Sequence, residues 1–177
     1  MKVFTSDCHF DHPWDRLTAA NWKKYPNELS THVVAVDVLR REINPATQVL
    51  MTERLITCRQ NIPTWITALI GAKNVSYVRE VSEVDLKNHT LTMRSVNLTM
   101  NNLLRVQETV QYKPESATRT LFHQEATIEA FASFQKVCNK IEDWSLERFR
   151  QNAALGRAGF ESVLQKLNLE RAAQLAV

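Results

Sequence analysis

Apolar positions fall into two patterns along this chain: short runs rich in β-branched residues, and a stripe at helical spacing near the end. The short runs predict strands at residues 2–10, 32–43, 48–58, 75–86, 89–99, 104–113 and 119–130. Short links rich in Asn, Lys, Pro and Ser join most of them, as hairpins require, and Asn44-Pro45 makes one of the turns. After the first strand, Pro13 opens a helix with Asp11 or His12 near its cap. It runs through Trp14, Leu17, Ala20 and Trp22 until Pro26 ends it. Phe134–Leu167 reads as one long helix, and residues 168–177 either extend it or fray. The element order β-α-β-β-β-β-β-β-α predicts an α+β fold: an antiparallel sheet with helices on one face.

The long helix carries an anomaly. At 100° per residue, Val137, Ile141, Ser145, Asn152, Leu155, Gly159 and Val163 fall within roughly 40° of one line. Arg148 falls on that line too, whereas Asp143, Arg150, Arg157 and Glu161 take the opposite side. A guanidinium on an oily face needs a carboxylate, a phosphate or another acceptor. The chain's own acids and an external anion are both open as partners.

Residues 60–71 (QNIPTWITALIG) interrupt the strand pattern with an apolar segment. It reads as a buried helical turn or as a lid opening beside a membrane, with Gly71 as its hinge. The chain has three glycines, and the other two, Gly156 and Gly159, share one turn of the long helix. An interior helix glycine costs about 0.8–1 kcal/mol against alanine. Two together imply close packing, a bend or room for a ligand.

Composition narrows the function. The 177 residues suffice for one domain spanning 1–177 with a real core. No apolar run approaches the ~18 residues of a membrane span. The first residues lack an apolar leader, so an organelle address is expected to be internal or supplied by a partner. Net charge is +3, without a basic tail, which argues against nucleic-acid binding by counterion release. Mild attraction to anionic membranes is compatible with it. Three widely spaced cysteines form no framework, and their odd number leaves at least one free thiol.

No catalytic or cofactor motif emerges. GxSxG, HExxH, P-loop and GxGxxG patterns are missing, and Glu80, Glu108 and Glu125 lie on strands with nothing to fix their separation. Cys8, His9 and His12 have no second ligand pair nearby, so neither metal nor cofactor is expected. Lys23 and Lys24 end the first helix, where cations suit the dipole. Arg54 shares a strand face with Leu50, Thr52, Ile56 and Cys58, repeating the setting of Arg148. An anionic amphiphile accounts for both arginines, with its tails on apolar walls and its phosphate on the cations.

Four blocks carry a resemblance: ANWKKYPNELSTHVVAVDVLRRE (20–42), TERLITCRQNIPTW (52–65), REVSEVDLKNHTLTMRSVNLTMNNLL (79–104) and NKIEDWSLERFRQNA (139–153). Together they resemble the PRELI family, also called Ups/slowmo, over about residues 1–167. The likeness is greatest to the fungal branch implicated in phosphatidylserine transfer.

The resemblance implies a START-like helix grip, with a curved antiparallel sheet and a long C-terminal helix around a lipid cavity. It implies phospholipid transfer between outer and inner mitochondrial membranes. The expected location is the intermembrane space, peripheral to the inner membrane, in a heterodimer with a small helical twin-Cx9C protein. Lys24, Arg54 and Arg148 match basic headgroup positions, and Asn152 joins them. Ile56, Cys58, Ile141, Trp144 and Ser145 are expected to line the cavity. Ile62, Pro63, Trp65, Ile66, Leu69, Ile70 and Gly71 form the expected lid. Cys58, Asn61 and Leu155 stand where the phosphatidic-acid branch can carry lysine. Fewer cations suit a headgroup that brings its own ammonium, which favours phosphatidylserine. Phosphatidic-acid transfer, a lipid-independent interaction scaffold and an enzyme using the same hollow are the alternatives.

Overall fold

The computed structural model describes residues 1–59, 64–65 and 74–175. Seven strands form one antiparallel sheet: β1 (Lys2–Phe10), β2 (Val33–Ile43), β3 (Leu50–Arg59), β4 (Val75–Asp85), β5 (Thr90–Asn97), β6 (Leu104–Ser116) and β7 (Arg119–Ala130). Their spatial order is β1-β7-β6-β5-β4-β3-β2. Strands β2 to β7 thus run as a meander, and β1 adds to the free side of β7. Helix α1 (Trp14–Ala20) and a 3-10 turn (Asn21–Lys23) lie between β1 and β2 in the chain. Helix α2 (Gln135–Leu175) ends the described chain and extends well beyond the expected Leu167.

Local chemistry sets the turns. Asn44 Oδ1 accepts from the backbone N–H of Ala46 at 2.9 Å and of Thr47 at 3.2 Å. Asp85 Oδ1 accepts from Lys87 at 2.9 Å and Asn88 at 3.0 Å. Such side-chain-to-backbone bonds let these residues reverse the chain between strands. They fix the register of their hairpins and so decide which residues meet on the sheet face.

Register places the inward residues in rows. One row is apolar: Leu50, Val84, Leu91, Tyr112, Phe122 and Cys8. With Phe10, Trp14, Leu17, Phe160 and Leu164 it forms the larger core. Aromatic edges stack there, with Tyr112–Phe122 centroids at 5.1 Å and Phe10–Phe160 at 5.8 Å. A second core joins Leu104, Ile128, Ala130, Cys138 and Ile141. Glu142, buried, accepts from the Ala130 N–H at 3.0 Å and ties the start of α2 to β7. Between these cores lies a polar belt. It consists of Arg54, Glu80, Ser95, Glu108 and Ala126 in one row and Thr52, Ser82, Met93, Val110 and Gln124 in the next.

The face of α2 corrects the expected stripe. Leu155 is 44% exposed, whereas Phe160 and Leu164 are buried. Arg157 was expected on the solvent side and instead faces inward, its Nη1 donating to Ser6 Oγ at 2.6 Å. The inward residues follow i+4 rows, such as Ser145, Phe149, Ala153 and Arg157. A row of that spacing drifts about 40° per step, because four residues overshoot a 3.6-residue turn. A straight line drawn along the helix therefore loses the buried face within a few turns.

Candidate functional site

The polar belt and α2 enclose a hollow of about 290 Å³. Residues from β3 to β7 supply its floor, α2 its roof, and the segment after α1 one end. Of the expected lining, Ile56, Cys58, Trp144 and Ser145 are present, as are all four expected headgroup residues, Lys24, Arg54, Arg148 and Asn152. Ile141 is not among them. It is packed into the second core against Leu104 and Ile128, because the inward face at that turn meets β7 directly. Within the lid, Trp65 is half-buried against the second core, with Lys140 Nζ 4.5 Å from its ring centroid. Ile62, Pro63, Ile66, Leu69, Ile70 and Gly71, with Asn61, lie outside the described residues.

The two arginines differ. Arg54 is 4% exposed and pairs with buried Glu80: its Nε donates to Oε1 at 2.9 Å and Nη2 to the same oxygen at 2.5 Å. Its guanidinium also lies 5.2 Å from the Trp22 ring. Arg54 therefore has its counter-ion inside the protein, and the expectation of an arginine awaiting an external anion does not describe it. Arg148 is the opposite case. Among the described residues its side chain makes no ion pair or hydrogen bond, and its Nε is buried without a partner.

Lys24 likewise forms no ion pair among the described residues. Its Nζ sits 5.3 Å from the Tyr25 ring and 5.7 Å from the Phe160 ring. Burial pulls its pKa down, but Tyr25, Tyr112, Glu108 and Glu80 outweigh that and hold it above the usual lysine range. Lys24 stays charged. Three inward cations, Lys24, Arg148 and Arg157, thus lack a carboxylate partner among the described residues. Facing them are Glu80, already paired, and Glu108. Glu125, on the other face of β7, is exposed.

Orphaned polar atoms concentrate in the same place. Asn21 Oδ1, Ser30 Oγ, Gln124 Oε1 and Arg148 Nε are all buried without partners, and all four residues line the hollow. Since buried polar groups are normally satisfied by protein, water or ligand, this clustering makes the hollow the candidate site for a polar ligand group. Apolar walls from Val78, Val106, Met93 and Phe149 complete an amphipathic interior. Cys58 is one of these walls, and burial pushes its thiol up to about 11, so it is a neutral lining group. His9 and His12, considered for metal, instead contact Glu115 at 3.1 Å and Glu161 at 3.0 Å.

The loop that carries Lys24 explains one helix glycine, and the hollow accommodates the other. Asn27 Nδ2 donates to the Lys24 carbonyl at 2.8 Å, and its Oδ1 accepts from Leu29 and Ser30. A Cβ on Gly159 would sit 2.5 Å from that same Oδ1. Gly159 is therefore the space into which the Lys24 brace fits. A Cβ on Gly156 would meet nothing within 4 Å, because Gly156 opens on the hollow. The two alanine variants should move stability in opposite directions. Gly156→Ala is expected to gain up to about 1 kcal/mol from helix propensity, and Gly159→Ala to lose about 1–3 kcal/mol by overpacking. Thermal melts of the two check this, and equal shifts would contradict it.

The profile of the PRELI-like family matches residues 15–170. The chain belongs to the PRELI-like family. It is 60% identical to the mitochondrial protein Ups2 of Saccharomyces cerevisiae over 168 residues, covering 93% of this chain and 73% of that one. It is 50% identical to the UPS-like protein C36.10 of Schizosaccharomyces pombe, covering 96% and 92%. These likenesses support the fungal Ups branch. Among solved structures, the Zhui aromatase/cyclase superposes with a TM-score of 0.63 over 94% of this chain and 95% of its own. At 8% identity that likeness shows the helix-grip fold alone. Proteins of the PRELI-like family transfer lipids and are not enzymes.

Proposed function

We propose that this PRELI-like protein carries phosphatidylserine between the outer and inner mitochondrial membranes. It would work in the intermembrane space, peripheral to the inner membrane, with a small twin-Cx9C protein as partner. The observation that supports the reading is the pair of inward cations, Arg148, whose Nε is buried without a partner, and Lys24, which forms no ion pair among the described residues although Glu108 and Glu80 act on it through space. A phosphate supplies the missing acceptor, and Asn152, one helical turn from Arg148, adds a neutral hydrogen-bonding group. Acyl chains meet the apolar walls, at roughly 0.8 kcal/mol per buried CH₂. The segment from Ile62 to Gly71 acts as the lid, with Trp65 reaching the bilayer interface. Arg54 supports the headgroup from within its pair with Glu80.

The choice of phosphatidylserine over phosphatidic acid rests on the residues that replace lysine in the latter branch. Cys58 lines the hollow, so an uncharged group there bears on headgroup choice. Leu155 is too exposed to contribute. Transfer between donor and acceptor liposomes tests the function. Phosphatidylserine should move, and faster than phosphatidic acid or phosphatidylcholine. Movement of phosphatidic acid alone would favour the sister specificity, and movement of none would end the carrier reading.

His32 supplies a pH signature. It lines the hollow half-buried, and burial, then Arg148 and Lys24, hold its pKa below the ordinary 6.5. A depressed histidine favours the neutral form in the folded state. Its contribution to stability is thus present above about pH 6.5 and is lost as pH falls through that value toward the folded pKa. A phosphate between Arg148 and Lys24 cancels their push, so lipid binding should raise the His32 pKa. NMR titration of the His32 ring with and without phosphatidylserine reads this directly, and an unchanged or lower value would contradict it.

A further inference from the structure

We propose that Glu108, Gln124 and Ser95 form a subsite for a primary ammonium on the lipid headgroup. The proposal rests on the carrier reading above and specifies which headgroup chemistry the hollow selects. Glu108 on β6 stands directly opposite Ser95 on β5, and Gln124 reaches it from the neighbouring row on β7. Ser95 Oγ donates to Glu108 Oε2 at 3.0 Å, and Gln124 Nε2 donates to Oε1 at 2.5 Å. Both donors are neutral. Glu80, two strands along the same row, has Arg54, whereas Glu108 forms no ion pair among the described residues and meets Lys24 only through space.

Gln124 turns this arrangement into a directed site. It is 5% exposed, and its Oε1 is buried without a partner. Because Nε2 must face the Glu108 carboxylate, Oε1 cannot be exchanged with it without setting oxygen against oxygen. The amide is locked with its acceptor free. The carboxylate also keeps lone pairs beyond the two bonds it accepts. An ammonium offers three N–H donors and no acceptor, which matches this set of free oxygens.

The carboxylate also has a cost that points the same way. Placed in a hollow whose free cations await a phosphate, Glu108 repels a headgroup that is only anionic. It is compensated when the ligand brings its own positive charge. Attraction for the ammonium and repulsion of bare phosphate together make a specificity filter.

Liposome transfer and native mass spectrometry of loaded protein test this with three probes: phosphatidylserine, N-acetyl-phosphatidylserine and phosphatidic acid. The wild type should discriminate against the acetylated lipid. Glu108→Gln keeps size and removes charge, and should lower the phosphatidylserine-to-phosphatidic-acid ratio by about tenfold or more. It should also erase the penalty for acetylation. Gln124→Met should shift the ratio in the same direction by about threefold or more, and it decides the matter if Glu108→Gln does not fold. Equal losses for all three lipids would overturn the subsite and leave Glu108 as a general counter-charge for Lys24. If the wild type takes up no lipid, the carrier reading and the subsite fall together. Loading without discrimination against the acetylated lipid overturns the subsite alone.

Discussion

Arg148→Glu should reduce phosphatidylserine transfer by about a hundredfold or more while leaving the fold intact. Two physical facts separate those outcomes. The wild-type guanidinium has no internal partner among the described residues, so removing it strands no buried carboxylate. Hydrogen bonds to a charged group are worth about 1.5–3 kcal/mol each, and the variant replaces such a donor set with a charge that repels phosphate. Arg148→Met should also lose transfer, yet melt at the wild-type temperature or above, since it removes an unpaired charge from a poorly solvated site. Transfer rate and thermal melt on the same samples check both halves. Wild-type transfer by Arg148→Glu would remove Arg148 from the headgroup set. An unfolded variant would assign it to the fold.

Glu80→Leu should be the most damaging single change to stability, at about 3–5 kcal/mol, because it leaves Arg54 buried and uncompensated. The double variant Arg54→Met, Glu80→Leu should recover most of that loss, since a packed apolar pair often matches a buried ion pair. Chemical denaturation of the singles and the double measures the coupling. The double variant also isolates the contribution of Arg54 to the ligand. As Arg54 already holds a counter-ion, its removal with Glu80 should lower transfer by less than about tenfold, against the far larger loss at Arg148. A double variant as unstable as Glu80→Leu would mean that the pair is not the reason for the loss. Arg54→Glu would be a poor probe of ligand binding, because it sets two buried acids against each other.

The strands were legible because their cues are local. Runs such as VVAVDVLRREI and VSYVREVSEVD end at turn-forming residues, and Asn44 and Asp85 form side-chain bonds that lie within a few residues of sequence. Arg148 stood out for the same reason, since one charge on an oily line needs no tertiary information.

What depends on register was hidden. Arg54 and Glu80 are 26 residues apart, and they meet only because β3 and β4 pair at that register. Glu108, Ser95 and Gln124 converge from three strands by the same logic. A strand-by-strand alignment of inward positions could have suggested those meetings, but not selected them among neighbouring registers. The drift of the buried face along α2 hid Arg157, Phe160 and the different duties of Gly156 and Gly159. Following the i+4 rows in place of a fixed line would have found them. Asn27 had no visible role until the Gly159 contact showed that it braces the Lys24 loop.

The central claim is that the hollow holds one phospholipid by its anionic headgroup, and native mass spectrometry of protein purified from cells tests it most directly. The account predicts a bound species of one phospholipid per chain, with phosphatidylserine foremost after extraction, and its loss in Arg148→Glu. A chain that flies without lipid in both forms, or that retains the same lipid with Arg148 reversed, would contradict it.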